Sequence, residues 1–442
     1  MEMGRHVVKR ARTLTAIGLL ACLAAGPVHA RPIEEELRGL LDSHLQIRQA
    51  EKTLESRFES IKETTSKYYP TVKVGTEWGP EYVNTGTTRG KPGGNPWTGV
   101  KKTANVNVKQ NLFDGYETTS LLRTAEINRE VAEYSLEGTR QNTLFTGVKA
   151  YVEVLRQRRL VEMARENERT IQRQLNLEDE RVRRGSGVTV DVLQAKSRLQ
   201  IAKERRVGYE GALANAISTY IQVFEHAPDL PTMLDPAPPA AVIPSTIERA
   251  IDIALSENPA LIGTAAKVEA AREKKREIAA DYYPSLDLVG DANYERNSNT
   301  TADMRKDASV LLTASWTLFN GAKTPAAMAR TEFDYSATKD SYEYTATKVI
   351  EQVRLAWQSL ITSRERTELL GNAVNIASEV FDSRKKLREA GKETVINVLD
   401  AENEVNNAQI NYTTATYDHK LSVYQLLLSM GRLMPEYMVS ER

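Results

Sequence analysis

Tyr68-Tyr69-Pro70 and, further on, Leu112-Phe113-Asp114-Gly115 return in the second half of the chain as Tyr282-Tyr283-Pro284 and Leu318-Phe319-Asn320-Gly321. Motifs repeated in the same order mark an internal duplication, and a duplication constrains the fold more than any single residue does. The offset is 214 from Pro70 to Pro284 but 206 from Phe113 to Phe319, from Gly185 to Gly391 and from Leu193 to Leu399. Eight extra residues therefore lie between Pro70 and Phe113, in a region whose residues 84–96 are rich in Gly, Pro and Asn. Such composition marks an exposed loop, so the two copies differ mainly by a loop insertion.

Working outward from these motifs, the residues before each Tyr-Tyr-Pro follow a helical stripe. Leu37, Leu40, Leu41, Leu45, Ile47, Leu54, Phe58 and Ile61 carry it from Ile33 to about Lys67, and its counterpart runs from about Ser245 to Ala280. Proline disfavours helical geometry in the residue before it, which stops both helices, and Asn258-Pro259 should kink or divide the second copy. After each proline the period drops to two. Val72, Val74, Thr76 and Trp78 alternate with polar residues, as do Ala104, Val106 and Val108; Leu286, Leu288, Gly290, Ala292 and Tyr294 repeat the pattern, followed by Val310, Leu312, Ala314, Trp316 and Leu318. Strands are expected at about 71–83, 100–113, 285–296 and 307–319. One apolar face, a length near ten residues and aromatic residues at the ends (Trp78, Trp97, Trp316, Tyr82, Phe113, Tyr294, Phe319) fit a membrane β-barrel. Half-buried strands of an ordinary sheet give the same alternation. Four strands cannot close a barrel when the smallest known use about eight, so a barrel requires oligomerisation.

The stretch from about Tyr116 to Arg184 contains no proline, and about 68 residues at 1.5 Å per residue make a helix of roughly 100 Å. Val154, Val161, Leu175 and Val182 recur at sevens with Glu168 interrupting them, and their equivalents are Leu360, Thr367, Val374, Phe381 and Arg388. Partly polar seams of this period predict supercoiled packing against several neighbours, and a coiled-coil rod fits the helices alone equally well. Each long helix stops at basic residues followed by glycine, Gly185 and Gly391, and a return helix follows each, about 189–225 and 394–431. Prolines between 228 and 244 mark a linker. The chain thus divides into 1–30, a first copy at 31–230, a Pro-rich linker at 231–244 and a second copy at 245–442.

Arg5, Lys9, Arg10 and Arg12 precede the apolar run from Leu14 to Ala25, and Val28-His29-Ala30 supplies small residues for cleavage after Ala30. This is a signal peptide; the alternative is lipidation at Cys22, the only cysteine. Cleavage takes four basic residues and one acidic residue from a balance of 59 each, leaving a charge of about −3. No basic surplus favours a nucleic-acid partner. After residue 30 no segment has the roughly 18 apolar residues of a membrane helix, so membrane insertion would be through strands. His44, His226 and His419 stand apart from any metal-ligand or nucleophile pattern, and no phosphate loop is present. The residues therefore point away from an enzyme and toward either a duct or an exported helical scaffold or spacer, with no cofactor.

Two long helical hairpins, each preceded by a two-stranded unit in an exported chain, resemble the TolC family of outer-membrane channels. The resemblance covers nearly all of the mature chain. It rests on both Tyr-Tyr-Pro motifs, both Leu-Phe-Asp/Asn-Gly motifs and the tip sequences Gly185-Ser186-Gly187-Val188-Thr189-Val190-Asp191-Val192-Leu193 and Gly391-Lys392-Glu393-Thr394-Val395-Ile396-Asn397-Val398-Leu399-Asp400-Ala401. It implies a mainly α fold with a membrane β-barrel part: four strands per protomer, and a homotrimer forming a 12-stranded barrel and a helical periplasmic tunnel. It also implies an outer-membrane location facing lipid, with a periplasmic adaptor and an inner-membrane ABC or other transporter as partners. The implied function is an exit duct for type I secretion, with a tripartite multidrug efflux pump as the alternative. On matching positions the resemblance places the periplasmic gate at Asp191, Asn397 and Asp400, with Gly185, Gly187 and Gly391 at the hairpin turns that contact the adaptor. Threefold repetition would gather the acidic side chains around a narrow axis and attract cations. Asn397, where a second acid is typical of the family, and Glu393, where a base is, depart from its pattern. Residues 393–404, with Tyr412 and Tyr417, look more like the secretion branch than the lipid-anchored efflux branch.

Overall fold

The computed structural model describes residues 33–86, 96–298 and 303–435. The signal segment, the Ala30 cleavage site, Cys22 and most of the loop insertion lie outside the described residues. The duplication is visible element by element. Helices α1 (Ile33–Ser43) and α2 (Leu45–Thr65) match α5 (Ile247–Glu257) and α6 (Pro259–Ala279), with 11 and 21 residues in each copy. The hairpin of α3 (Glu117–Arg183) and α4 (Thr189–Phe224) matches that of α7 (Lys323–Glu389) and α8 (Val395–Met430), with 67 and 36 residues in each.

One break was not expected. The sequence pattern predicts a single helix from Ile33 to Lys67, but the chain turns at His44, whose ψ of 129° is extended. His44 Nδ1 accepts a hydrogen bond from Gln46 N (3.3 Å), much as Asn258 Oδ1 accepts from Ala260 N (3.0 Å) in the second copy. Both side chains satisfy donors that a new helix start leaves unpaired, and this capping does the work without proline in the first copy.

Strands β1 (Thr71–Val83), β2 (Trp97–Phe113), β3 (Ser285–Arg296) and β4 (Met304–Ser315) form one antiparallel sheet in the order β1-β2-β3-β4. The central pairing joins the two copies, with Val106 opposite Ala292 and Val108 opposite Gly290. β2 begins three residues earlier than expected because Trp97 pairs with Val83. β4 occupies 304–315, not 307–319. Its end is set by the turn into α7: Trp316 Nε1 donates to Tyr282 O (3.1 Å), and Asn320 Oδ1 accepts from Thr324 N (3.4 Å). Those bonds draw 316–321 away from the ladder.

The register sorts the strand side chains by chemistry. One face carries Val72, Val74, Trp78, Val106, Val108, Leu288, Tyr294, Val310 and Leu312. The other joins Asn107 to Asp291 (2.7 Å), Lys109 to Asp287 (2.8 Å), Lys101 to Glu77 (2.7 Å) and Asn293 to Asp307 (3.0 Å). A polar face crossed by hydrogen bonds and an apolar face left bare is the arrangement of a water-filled barrel in lipid. Trp97 sits on the polar face, because a Cβ on Gly99, two residues along β2, would lie 2.6 Å from the Trp97 ring. It therefore does not belong to the aromatic rims, of which Trp78 marks the hairpin end of the sheet and Trp316 the end next to the helices.

The main core lies midway along the long helices, where α4 and α8 end. Leu37 and Leu40 of α1, Leu144, Val148, Tyr151 and Leu155 of α3, Tyr220 and Phe224 of α4, Ala250 and Ala254 of α5, Val353 of α7, and Leu426, Leu427 and Met430 of α8 pack there. Tyr151 holds the linker to this core: its hydroxyl donates to Leu234 O (3.0 Å) and accepts from Leu234 N (3.1 Å). Burial pushes the Tyr151 hydroxyl up to about 12, so it stays protonated and keeps both bonds.

Several surfaces of one protomer are left bare. β1 and β4 each have an unpaired edge, and long free edges invite pairing with another chain. On α7, Leu355, Leu369, Ile376, Val380 and Leu387 are exposed at helical spacings. Exposed apolar seams and sheet edges on the same protomer are surfaces that assembly buries.

Candidate functional site

The sequence-marked residues lie at the two hairpin tips, Asp191 on the first and Asn397 and Asp400 on the second. After α3, Gly185 (φ 75°) reverses the chain; Gly185 N bonds to Val182 O (3.0 Å) and Ser186 N to Arg181 O (3.0 Å). After α7, Gly391 (φ 74°) does the same, with Gly391 N to Arg388 O (2.9 Å) and Lys392 N to Leu387 O (2.9 Å). This bond pair terminates helices when the residue after the cap is left-handed, which favours glycine. Gly187 serves another purpose: a Cβ there would lie 2.7 Å from Val182 N. The tip backbone packs too closely for a side chain.

Position 187 corresponds to 393, and the second tip uses that side chain. Glu393 Oε1 accepts from Thr394 N (3.0 Å) and from Asn397 Nδ2 (2.5 Å), while Thr394 Oγ1 accepts from Asn397 N (3.3 Å). The hydrogen bond from Asn397, then that from the Thr394 amide, hold the Glu393 carboxyl below its ordinary range. Asn397 is thus tied to the cap of its own helix. In the first tip Asp191 lies in the opening turn of α4, where the helix dipole favours an acid.

Asp400 pairs with Arg198 across the gap between α8 and α4. Seven residues further along both helices, Arg205 Nη1 donates to Asn407 Oδ1 (2.9 Å). A cleft of about 420 Å³ runs between these helices, lined by Asn167, Ile171, Arg198, Arg205, Leu399 and Asp400.

A link through a buried acid joins the hairpins at residues that sequence reasoning did not assign to the site. Glu178 of α3 is buried and accepts from Arg181 on its own helix (2.8 Å) and from Arg388 of α7 (3.2 Å). Arg388 also donates to Glu393 O (3.4 Å), and Arg384 donates to Asn397 O (3.3 Å). Arg388 occupies a place in the period-seven seam where the first copy has Val182, and that exchange was the available signal. Glu168, the interruption in the first seam, likewise meets Arg206 of α4 (2.6 Å). Beneath the tips, Ile171, Leu175, Val192, Ala195 and Leu199 form a second apolar cluster.

Glu402 hydrogen-bonds to Gln174 of α3. Burial raises its carboxyl above the ordinary 4.5, against weaker opposing effects of Gln174, Arg173 and Lys385. A carboxyl raised on folding binds more protons folded than unfolded, so this contact is most stable in acid and weakens as pH climbs from 4.5 through the raised value. Glu402→Gln should therefore raise thermal stability near pH 7 by a few tenths to about 1 kcal/mol, with the gain vanishing below pH ~4. Melting the purified protein across that range checks it, and an equal gain at both pH values would contradict the burial account.

No group of residues suited to a metal occurs among the described residues, and no helix there is long and apolar enough to cross a membrane. The geometry offered is a polar-lined sheet at one end, paired helices about 100 Å long and cross-linked tips at the other. The family model described as outer membrane efflux protein matches residues 37–219 and 250–432, one segment in each copy. Among curated relatives, the outer membrane efflux protein BepC of Brucella suis is 25% identical over 79% of this chain and 76% of its own length. The outer membrane protein TolC of Vibrio cholerae is 26% identical over 75% of this chain and 76% of its own. The alkaline protease secretion protein AprF of Pseudomonas aeruginosa is 24% identical over 74% of this chain and 69% of its own. The fold matches that of the outer membrane protein VceC of Vibrio cholerae with a TM-score of 0.76 at 15% identity, covering 90% of this chain and 96% of that one. With the duplicated hairpins, the four-stranded sheet and a family match in both halves, the chain belongs to the outer membrane efflux protein family, the TolC family of trimeric channels.

Proposed function

We propose that this channel is the exit duct of a type I protein secretion system, closed at rest by the contacts among its hairpin tips. Family members are transport proteins that work with adaptor proteins and inner-membrane transporters; the adaptor here meets the tips near Gly185, Gly187 and Gly391, and an ABC transporter supplies the energy. The observation that carries the closed-duct reading is the buried Glu178, bridged to the other hairpin by Arg388. An ionic link between the two hairpins close to their tips is a contact that an arriving partner can exchange for its own. Similarity to AprF, a protein named for protease secretion, favours secretion. Similarity to BepC, named for efflux, keeps the drug pump as the second reading. Deleting the gene in its native host separates them. Loss of one exported protein with unchanged drug susceptibility is expected, and an unchanged set of exported proteins with drug hypersensitivity assigns the pump.

Asp191, Asn397 and Asp400 form the constriction in this reading, with Asp400 supplying charge in company with Arg198. Asp400→Ala leaves Arg198 uncompensated and should lower cation preference by several-fold. Arg198→Ala frees the carboxylate and should raise it. Reversal potentials in asymmetric salt check both, and identical selectivity in wild type and both variants would remove Asp400 from the pore.

A further inference from the structure

The apolar face of the sheet has one charged region. Following the register, the side chains on that face are residues 72 to 82 of β1, 98 to 110 of β2, 286 to 296 of β3 and 304 to 314 of β4, taking even numbers only. None of them is acidic, and the charged ones are Lys102, Arg296 and Lys306. These three are neighbours. Lys102 stands directly opposite Arg296 on adjacent strands, and Lys306, opposite Tyr294, lies diagonally next to Arg296. All three are exposed, and none has an ion-pair partner among the described residues. The acids at this end face elsewhere: Glu77 pairs with Lys101, Asp307 with Arg305, and Glu81 and Glu295 are on the polar face. Asp303, in the hairpin connection, accepts from Met304 N (2.7 Å).

Like charges directly opposite on one face of a sheet destabilise it. Here they are concentrated where opposite charge was available one residue away. Their level is also specific. They sit at the hairpin end, away from the helices, which in this family's orientation is the outer surface of the cell. From Leu288 to Arg296 the chain climbs about 26 Å along the strand, or about 20 Å of height at a tilt near 40°. The interval holds Gly290, Ala292 and Tyr294 on the same face, close to the span of an apolar membrane band of ~25 Å. Trp78, paired with Lys102, and Tyr294, paired with Lys306, mark the interface at which amphipathic rings settle.

We propose that Lys102, Arg296 and Lys306 form a lipid site on the outer wall of the barrel, selective for phosphate-bearing headgroups of the outer leaflet. The phosphate supplies the anion that the sheet withholds, the acyl chains lie along Val106, Val108, Gly290 and Val310, and the trimer carries three such sites. Basic side chains at an anionic lipid surface contribute about fivefold each in affinity, so a site of three distinguishes anionic from zwitterionic lipid by about a hundredfold.

The test uses the full-length trimer in neutral detergent, titrated with diphosphoryl lipid A and followed by native mass spectrometry. Wild type should bind it, monophosphoryl lipid A more weakly, and phosphatidylcholine not measurably. K102Q/R296Q/K306Q should lose about a hundredfold. Inorganic phosphate should not displace the lipid; displacement at equal phosphate concentration would show a simple anion site and overturn the lipid assignment. Lys102→Glu gives a second reading should the triple variant fail to assemble. It places opposite charges across the strands, so its trimer should resist heat better than wild type in lipid-free detergent while its lipid A binding falls. Wild-type affinity in either variant overturns the proposal.

Discussion

Arg388→Ala should make the channel leaky. Arg388 carries the link from α7 to the buried Glu178 of α3 and also holds Glu393 O of the following turn. Its loss removes charge-assisted hydrogen bonds and leaves Glu178 with Arg181 alone. The bond to Glu178, the one of these that spans the two hairpins, contributes ~1.5 kcal/mol per protomer, so a concerted opening of three protomers shifts by ~4.5 kcal/mol, roughly three orders of magnitude in the open-to-closed ratio. Planar-bilayer recordings should show larger and longer conductance steps than wild type, and cells carrying the variant should admit antibiotics normally excluded by size. Arg388→Lys, which keeps the charge without the guanidinium fork, should fall between the two. A variant with wild-type conductance and an intact trimer would show that the Glu178 bridge does not hold the gate.

Gly147→Val should be strongly destabilising. Gly147 lies in α3 beneath α1, and a Cβ placed there would meet Leu40 Cδ2 at 2.6 Å, Leu37 Cδ2 at 2.8 Å and the Phe224 ring at 3.4 Å. Leu37 and Leu40 are almost wholly buried and belong to the core that joins α1 to the long helices. A valine forces α1 outward, at about 3 kcal/mol for overpacking. Gly138 in the same helix supplies the control, because the nearest atom to its Cβ position is Pro259 Cβ at 3.9 Å. Gly138→Ala should raise stability by about 1 kcal/mol through helix propensity alone. Thermal midpoints of the two purified variants are the measurement. Equal effects at the two sites would mean that the α1 contact is not as tight as described.

Much of this architecture was legible because it depends on short-range rules. The drop in period from 3.6 to 2 after each Tyr-Tyr-Pro follows from local geometry, as does glycine at the left-handed turns 185 and 391, and the two copies check each other. Where local signals are silent, tertiary contacts decide the structure. His44 breaks its helix with a side-chain cap that also fits a helix interior, and Trp97 lies close to an aromatic rim while facing the polar side. The end of β4 is decided by bonds from Trp316 and Asn320 to residues of the turn and of another segment.

The tip was legible in place but not in pairing. Asp400 was recognisable, yet its partner Arg198 lies on the other hairpin and becomes a neighbour only through the packing of α4 beside α8. Asn397 departs from the family's acid, and its reason appears once Glu393 is seen to accept its amide. Glu178 was visible only as an ordinary charge on a long helix, and Arg388 as the basic member of the second seam. A charged member of a seven-residue seam, present in one copy and replaced by valine in the other, is the trace such a cross-hairpin bridge leaves in sequence.

The exposed edges of β1 and β4, the bare apolar seam of α7 and the sorted faces of the sheet all require the same completion, a threefold ring of protomers inserted in a bilayer. The most direct test is to extract the full-length protein in detergent, isolate the trimer and record from it in a planar bilayer. The predicted result is discrete, small, cation-preferring steps from the trimer fraction, enlarged by Arg388→Ala. A water-soluble monomer, or a trimer that never conducts in either form, would contradict a gated duct.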